Sequence, residues 1–581
     1  MVTVGFVVDT LQEEYQRLVF AGLHEEAQRL NVDIRCFVGG PLSVLGAAAH
    51  RNRVYDCISA ERLDGLVVAA GTLGNWVGAE ALTAFVESFA NLPTCSVGID
   101  VPGTPSVTPD NHAGIREALV HLIEEGGRRR IAFIRGPREN REAEERFRAY
   151  RDVLAEYRLA LDPDLITEGD FEAPSGAAAV KTLLDERRVG FDALLASSDL
   201  MALGAMNALL ERGVSIPARV SVVGFDDIET ARFAPAPLTS VRQPLRALGK
   251  LALQNVVNQI HGNVSVSNSV LPARLIRRQS SLPASLSHPV RAPEETTEQA
   301  ALDSFGFERC YRSIQTDLTR QLHRHLHFDG LDPDWAEQLC TYFVQDAGGR
   351  RSGLLRRQTF LEYFEQLMLQ ALERDGDINA FQRIVDDLRE RLLPFLQNVP
   401  ALRDSAEQQW HRARVSIGNI ADRYQVQRRL QQQHRLRQAQ QIGAELLRCH
   451  SFDNLASTLA ARLPLLGIGC AAVCTFEPRG HSRLRIAFDQ NQIITDGEYE
   501  AFVTGTLLPD GVFTNDQRRV LLADTLYSRD RALGYVLMEM GNEDPEVYAL
   551  LRDYLTGTLR GLVLEPPRAE PDLESQVNVQ L

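Results

Sequence analysis

The sequence predicts an α/β first half built as two lobes, then an all-α connector carrying one long helix, then an α+β domain. Three observations carry this. Short β-branched blocks alternate with helical stretches through roughly the first 280 residues, the apolar period turns wholly helical from about 300 to 447, and strands return after 448.

The first strand is VTVGFVVD, residues 2–9, followed by the helix YQRLVFAGLHEEAQRL with Leu18, Gly22, Ala27 and Leu30 on one face. The scheme repeats in VDIRCFV, LDGLVVAA, LPTCSVGID, RRRIAFIRG, FDALLASSD and RVSVVGFDD. Strands that are apolar without alternation are buried on both faces, as in parallel sheets. Strand–helix alternation of this kind gives doubly wound α/β architecture. Two such units make two lobes with a cleft, and ligands in these sheets bind beyond the carboxyl ends of the strands. Asp9, Asp100, Asp199 and Asp226 each follow an apolar strand. A single acid there is a helix cap or turn former, and recurrence at four strand ends is what points to a site.

Composition narrows the function classes. The 77 acidic against 62 basic residues leave a net charge of −15, which argues against a chain devoted to gripping phosphate backbones. The opening residues read as a strand and no apolar run is long enough to span a bilayer, so a cytoplasmic chain without a membrane partner is expected. Cys470 and Cys474 fall on one face of a strand and read as small buried hydrophobes, not as a metal or disulfide pair. His323, His325 and His327 alternate along a helix, so they share no face, and no cysteine completes a ligand set. No phosphate loop or nucleophile elbow occurs, and the adjacent Asp226 and Asp227 point apart. No enzyme activity, cofactor or metal is expected.

Four segments carry a resemblance. VTPDNHAGIREALVHLIEEGGRRRIAFIRGP holds an Asp-Asn-x-x-Gly helix and a Gly-Arg turn, and AEERFRAYRDVL holds an Arg-x-x-Ala-Tyr helix. LLASSDLMALGAMNALLERGVSIPARVSVVGFDDIETARFAPAPLTSVRQPLRALGKLA and LPARLIRRQS complete the set. Together they make residues 1–283 similar to the effector-binding core of the lactose/galactose repressor family, a periplasmic-binding-protein-like fold. The resemblance implies a ligand shell. Tyr15 takes the place of a stacking ring, Asp100 the acidic end of the fourth strand, and Asp110 the start of the next segment. Arg146 takes the place of an arginine that forks onto ligand oxygens, and Phe171 that of a second aromatic wall. Ser198 stands where asparagine is common, and Asp226 and Gln243 complete the hinge side. Such a shell suits a polyhydroxylated effector of the sugar or nucleoside class, whose hydroxyls both donate and accept. The first loop, TLQEEYQ, Val101 and Ser198 depart from the family pattern and blur the ligand's identity.

Repressors of that family carry a helix-turn-helix before the first core strand, whereas here the strand starts at Val2. Direct nucleic-acid binding is therefore not expected. Residues 284–300 are rich in Pro, Ser, Thr and Glu and read as a linker, with a helical connector over 301–409. Phe360, Tyr363, Phe364, Leu367 and Ala371 form its apolar stripe. Residues 410–447 read as one long, glutamine- and arginine-rich signalling helix without a strict heptad, of the kind that pairs in a homodimer. Residues 448–565 resemble a GAF domain, and 566–581 read as a disordered tail. The expected function is a non-enzymatic ligand sensor that transmits lobe closure through its C-terminal helices to an output-domain partner. The alternatives are a lactose-repressor-like transcription regulator acting on DNA through a partner, and the sensor portion of a histidine kinase or diguanylate cyclase.

Overall fold

The computed structural model describes residues 2–42, 46–262, 267–281, 304–326, 331–347, 358–374, 376–396, 400–490, 492–494, 500–513, 518–528, 531–541 and 544–564. The expected linker, the expected tail and His327 lie outside them. The chain forms two compact units, residues 1–282 with 433–581, and residues 283–432.

In the first unit the opening lobe is a parallel sheet. Its strands run Ser269–Leu271, Ser106–Pro109, Thr94–Val97, Gly65–Val68, Thr3–Val8 and Asp33–Val38 in spatial order. The second lobe orders Arg274–Ile276, Thr239–Arg242, Ser221–Asp226, Ala193–Ala196, Ile131–Ile134 and Ile166–Thr167, with only the first of these antiparallel. The predicted alternation and two-lobed α/β fold are both present. The chain passes between the lobes after Pro109, after Arg242 and after Leu271. The hinge is thus three strand ends, of which the sequence reading named the middle one.

Two helices cap the opening lobe. Glu14–Leu30 crosses Leu245–Ile260 so closely that a Cβ on Gly22 would stand 1.9 Å from the Arg246 carbonyl oxygen, and one on Gly249 would stand 2.0 Å from that of Val19. Glycine at both points lets the two backbones touch.

The C-terminal residues add an antiparallel sheet in the order Val520–Tyr527, Ala532–Glu539, Cys470–Glu477 and His481–Asp489, with helices Phe452–Arg462 and Pro545–Leu564. The sequence separates this domain from the sensor, and the structure joins them. Val520–Tyr527 pairs in parallel with Asp33–Val38, from Val520 opposite Ile34 to Asp524 opposite Val38, giving one twelve-stranded sheet. The physical reason is the open row of N–H and C=O groups on Asp33–Val38, which would otherwise be an exposed edge. The register is fixed at its start, where Arg519 donates its N–H to the Asp33 carboxylate at 2.8 Å. Asp524, buried in the joining strand, accepts from Arg552 at 3.1 Å. Cys470 and Cys474 are buried free thiols, and burial pushes both up to about 12.

The second unit is helical: Ser304–Leu322, Trp335–Ala347, Phe360–Glu373, Asn379–Leu396 and the first part of the long helix. The stripe Phe360, Tyr363, Phe364, Leu367 and Ala371 is buried, and Trp410 stacks on Phe343 at 5.3 Å. The long helix is Pro400–Leu446, starting ten residues before the expected position. Proline is accommodated in a first turn because its missing N–H would have no partner there. Val426 and Leu430 on this helix are exposed. His323 meets the edge of Trp335, and His325 Nε2 pairs with Asp387 at 2.7 Å. Among the described residues no metal-ligating cluster occurs, and no helix is long and apolar enough to cross a membrane.

Candidate functional site

The strand Thr3–Val8 ends at Asp9, whose buried carboxylate accepts from Thr72 Oγ1 at 2.7 Å and from Gln16 Nε2 at 3.3 Å. Burial raises its pKa. At the start of the following helix, Tyr15 turns its phenol inward. The hydroxyl is enclosed, and among the described residues it has no hydrogen-bond partner. Burial raises the phenol well above its ordinary value, and the charges acting on it are Glu142, Arg146, Asp226 and Asp9. Tyr15 thus stands where the two lobes meet.

From the second lobe come Glu142 and Arg146, one turn apart on the helix Arg141–Glu156, whose start is capped by Asn140 accepting from the Ala143 N–H at 2.9 Å. Arg146 is 3% exposed, so its charge must be satisfied internally. It donates from Nε to Asn111 Oδ1 at 2.9 Å, from Nη1 to the Ser197 carbonyl at 2.8 Å, and from Nη2 to Glu142 Oε1 at 3.3 Å. Its guanidinium lies 4.0 Å from the Phe225 ring centre. Burial raises the Glu142 carboxyl to about 7, with Arg146 opposing.

Asp226 ends the strand Ser221–Asp226 with φ +120°, a region that non-glycine residues occupy only under constraint. It accepts from Gln243 Nε2 at 2.6 Å, and burial raises its carboxyl to about 6 against the pull of Arg146. The amide oxygens of Gln243 and Gln16 are buried without a partner among the described residues. Asp227 turns away, as expected, and meets Arg242 and Arg278 at 2.6 Å each.

Four of the predicted residues therefore come together: Tyr15, Arg146, Asp226 and Gln243. Phe171, at φ +71°, sets its ring 5.9 Å from the Arg146 guanidinium and against Gly136, which has no room for a side chain. Ser198 caps the helix Asp199–Glu211, accepting from the Met201 N–H at 3.2 Å and donating to the Phe171 carbonyl at 3.0 Å. Asp100 and Asp110 do not join the cluster. Asp110 caps the helix Asn111–Val120 by accepting from the Ala113 N–H at 2.9 Å. Asp100 is exposed and accepts from Ser106 Oγ at 3.0 Å and Asn268 Nδ2 at 2.8 Å. The bland alternative of a strand-end acid acting as a cap or turn former describes both. Asp199 accepts from Ser240 Oγ at 2.6 Å and the Ile228 N–H at 2.9 Å, deep in the second lobe.

Sequence reasoning missed Glu142, Gln16, Asn111 and Asn140. Glu142 was findable, since it lies four residues before Arg146 and shares its helix face. Asn140 was not, because its role is set across the cleft. It donates from Nδ2 to the Gly71 carbonyl at 3.0 Å and to Asn75 Oδ1 at 2.8 Å. Arg141 donates to the Asp100 carbonyl at 2.6 Å, and the Glu229 N–H donates to Glu14 at 2.7 Å. These contacts hold the lobes together around the cluster. Carboxylates, amide oxygens, a phenol and a guanidinium beside aromatic rings can meet a molecule bearing several hydroxyls, each of which donates and accepts.

Residues 119–281 match the family described as a periplasmic binding protein-like domain. The chain is 38% identical over 185 residues to the HTH-type transcriptional regulator CelR of Thermobifida fusca, covering 32% of this chain and 54% of that protein. It is 33% identical over 206 residues to the HTH-type transcriptional repressor PurR of Aliivibrio fischeri, covering 35% and 59%. It is 30% identical over 249 residues to the HTH-type transcriptional repressor CytR of Escherichia coli, covering 42% and 70%. The chain thus spans little more than half the length of CelR and PurR.

Proposed function

The chain belongs to the lactose/galactose repressor (LacI) family of transcriptional regulators, and we propose that it is itself an effector-responsive transcription regulator that holds a small polyhydroxylated molecule between its two lobes. One observation carries the proposal. The Tyr15 hydroxyl and the Gln16 and Gln243 amide oxygens, without a partner among the described residues, border the same buried cluster as Glu142, Arg146 and Asp226. Buried polar groups are nearly always paired, so atoms left open together at a lobe junction fit a bound partner molecule. A ligand that prefers the closed lobes shifts the chain toward that form.

The relatives named above are HTH-type regulators, which favours action on DNA over the expectation of signalling without nucleic-acid contact. A second reading keeps a specific support. The sheet of the opening lobe runs on into the C-terminal domain, a route by which closure would reach the GAF-like domain and the long helix of a homodimer. In both readings the chain is cytoplasmic and non-enzymatic.

The test is calorimetric titration of the full chain with pentoses, hexoses, disaccharides and nucleosides, repeated with Tyr15→Phe and Asp226→Asn. Binding of one class, weakened in both variants, is expected. No heat with any compound, or the same affinity in both variants, would sink the ligand site. Retention of genomic DNA fragments that falls with added salt and responds to the ligand separates the two readings.

A further inference from the structure

A second cleft, of about 450 Å³, lies where the helix Glu14–Leu30 meets the C-terminal sheet. Arg518 and Glu539 face it, with His24 on the helix side. Arg518 and Arg519 lead into the strand Val520–Tyr527, and neighbouring residues of extended chain point to opposite sides. Arg519 forks onto Asp489 at 3.0 and 2.8 Å, which leaves Arg518 to the cleft. The Arg518 Nη1 is enclosed and has no hydrogen-bond partner among the described residues. Glu539 ends the neighbouring strand, and its Oε2 lies 2.6 Å from where a Cβ on Gly469 would stand. Among the described residues Arg518 and Glu539 form no ion pair with each other or with any other side chain.

The cleft is kept open by glycine. A Cβ on Gly541 would stand 1.7 Å from the Gly467 carbonyl oxygen, and a side chain at Gly469 would displace the Glu539 carboxylate. The ring of His24 stacks on Phe20 at 6.1 Å and gives the cleft a flat wall.

We propose that this cleft binds a zwitterionic small molecule, an α-amino acid being the simplest, with its carboxylate on Arg518 and its ammonium on Glu539. The charges select this class. A phosphate or dicarboxylate would meet repulsion from Glu539, and an amine would meet it from Arg518. A neutral sugar would leave both charges unneutralised. The inference is independent of the interlobe site, although His24 and Tyr15 stand on one helix, nine residues and about 14 Å apart at 1.5 Å per residue.

The experiment is calorimetric titration of the full chain with each of the common L-amino acids, and with acetate and methylammonium as half-ligands. At least one amino acid is expected to bind more tightly than either half-ligand. Arg518→Ala and Glu539→Gln should each weaken it about tenfold or more, the loss of one charge-assisted hydrogen bond. Arg518→Ala should melt with the parent chain, because Nη1 has no hydrogen-bond partner among the described residues to lose. Gly469→Leu should abolish binding by filling the cleft. Tyr15→Phe should leave amino-acid binding unchanged while weakening any sugar or nucleoside. No binding by any amino acid, binding indifferent to Arg518→Ala, or loss in Tyr15→Phe would each overturn the proposal.

Discussion

Arg146 and Glu142 stand one helical turn apart, both buried, with Nη2 of the arginine 3.3 Å from Oε1 of the glutamate. The pair is held across two helices and a strand end, since the same guanidinium also donates to Asn111 and to the Ser197 carbonyl. Removing the arginine leaves the buried acceptors on Asn111, Ser197 and Glu142 without their donor, at a cost of about 1–3 kcal/mol for each left unpaired. Arg146→Ala is therefore expected to lower stability by that order in a denaturant titration, with or without ligand.

Tyr15→Phe should behave in the opposite way. The hydroxyl has no partner among the described residues, so its removal relieves a desolvation cost of about 1–3 kcal/mol. The ligand-free variant should be as stable as the parent or more so, while ligand affinity falls. Tyr15→Phe is the cleaner probe of binding, and a matched loss of stability and affinity would show that the phenol is structural.

Stability should depend on pH through Glu142. Its carboxyl ionises at about 7 in the folded chain, against 4.5 ordinarily. Between those values the folded state keeps a proton that the unfolded state has lost, so stability falls as pH rises. The contribution is complete below 4.5 and gone once pH has passed through 7. Glu14, raised to about 7 by burial, acts with the same sign. Glu142→Gln should flatten this slope in denaturant midpoints measured across the range. An unchanged slope would count against a buried, protonated Glu142.

The crossing of Glu14–Leu30 with Leu245–Ile260 should tolerate no side chain at its contact point. Gly22→Ala places a methyl group 1.9 Å from the Arg246 carbonyl, and overpacking of this kind costs about 1–3 kcal/mol. The variant should melt lower than the parent, and because Tyr15 opens the same helix, it should also bind ligand less tightly.

Hydrogen exchange tests the joined sheet. In a free edge strand the outward amides of Asp33–Val38 would exchange quickly, but here they face Val520–Tyr527 in register. Slow exchange on both sides of Asp33–Val38 is expected, comparable with Thr3–Val8. Fast exchange of alternate amides would show that the C-terminal sheet is not joined there.

Much of the fold was legible because the first half repeats one signal, a strand apolar on both faces followed by a helix. The stripe from Phe360 to Ala371 was legible for the same reason, since periodicity and burial are two views of one property. The site was legible in part. Arg146, Asp226, Gln243 and Tyr15 were placed by resemblance and lie together, whereas Asp100 and Asp110 had equally good strand-end positions and serve as local acceptors. A carboxylate's local sequence does not say whether it turns toward the cleft or back to an N–H three residues on.

By itself the sequence determined the alternation, the two lobes, the helical middle and the family to which the first half belongs, because these rest on local periodicity and contiguous motifs. Only the tertiary structure decided that Val520–Tyr527 pairs with Asp33–Val38 and carries the sheet on into the C-terminal strands, that Asn140 reaches Gly71, and that Arg518 faces a cleft with Glu539. Those are contacts between residues far apart in the chain. Strand pairing reads backbone groups that every residue carries, and a buried charge is judged by neighbours that only folding brings near.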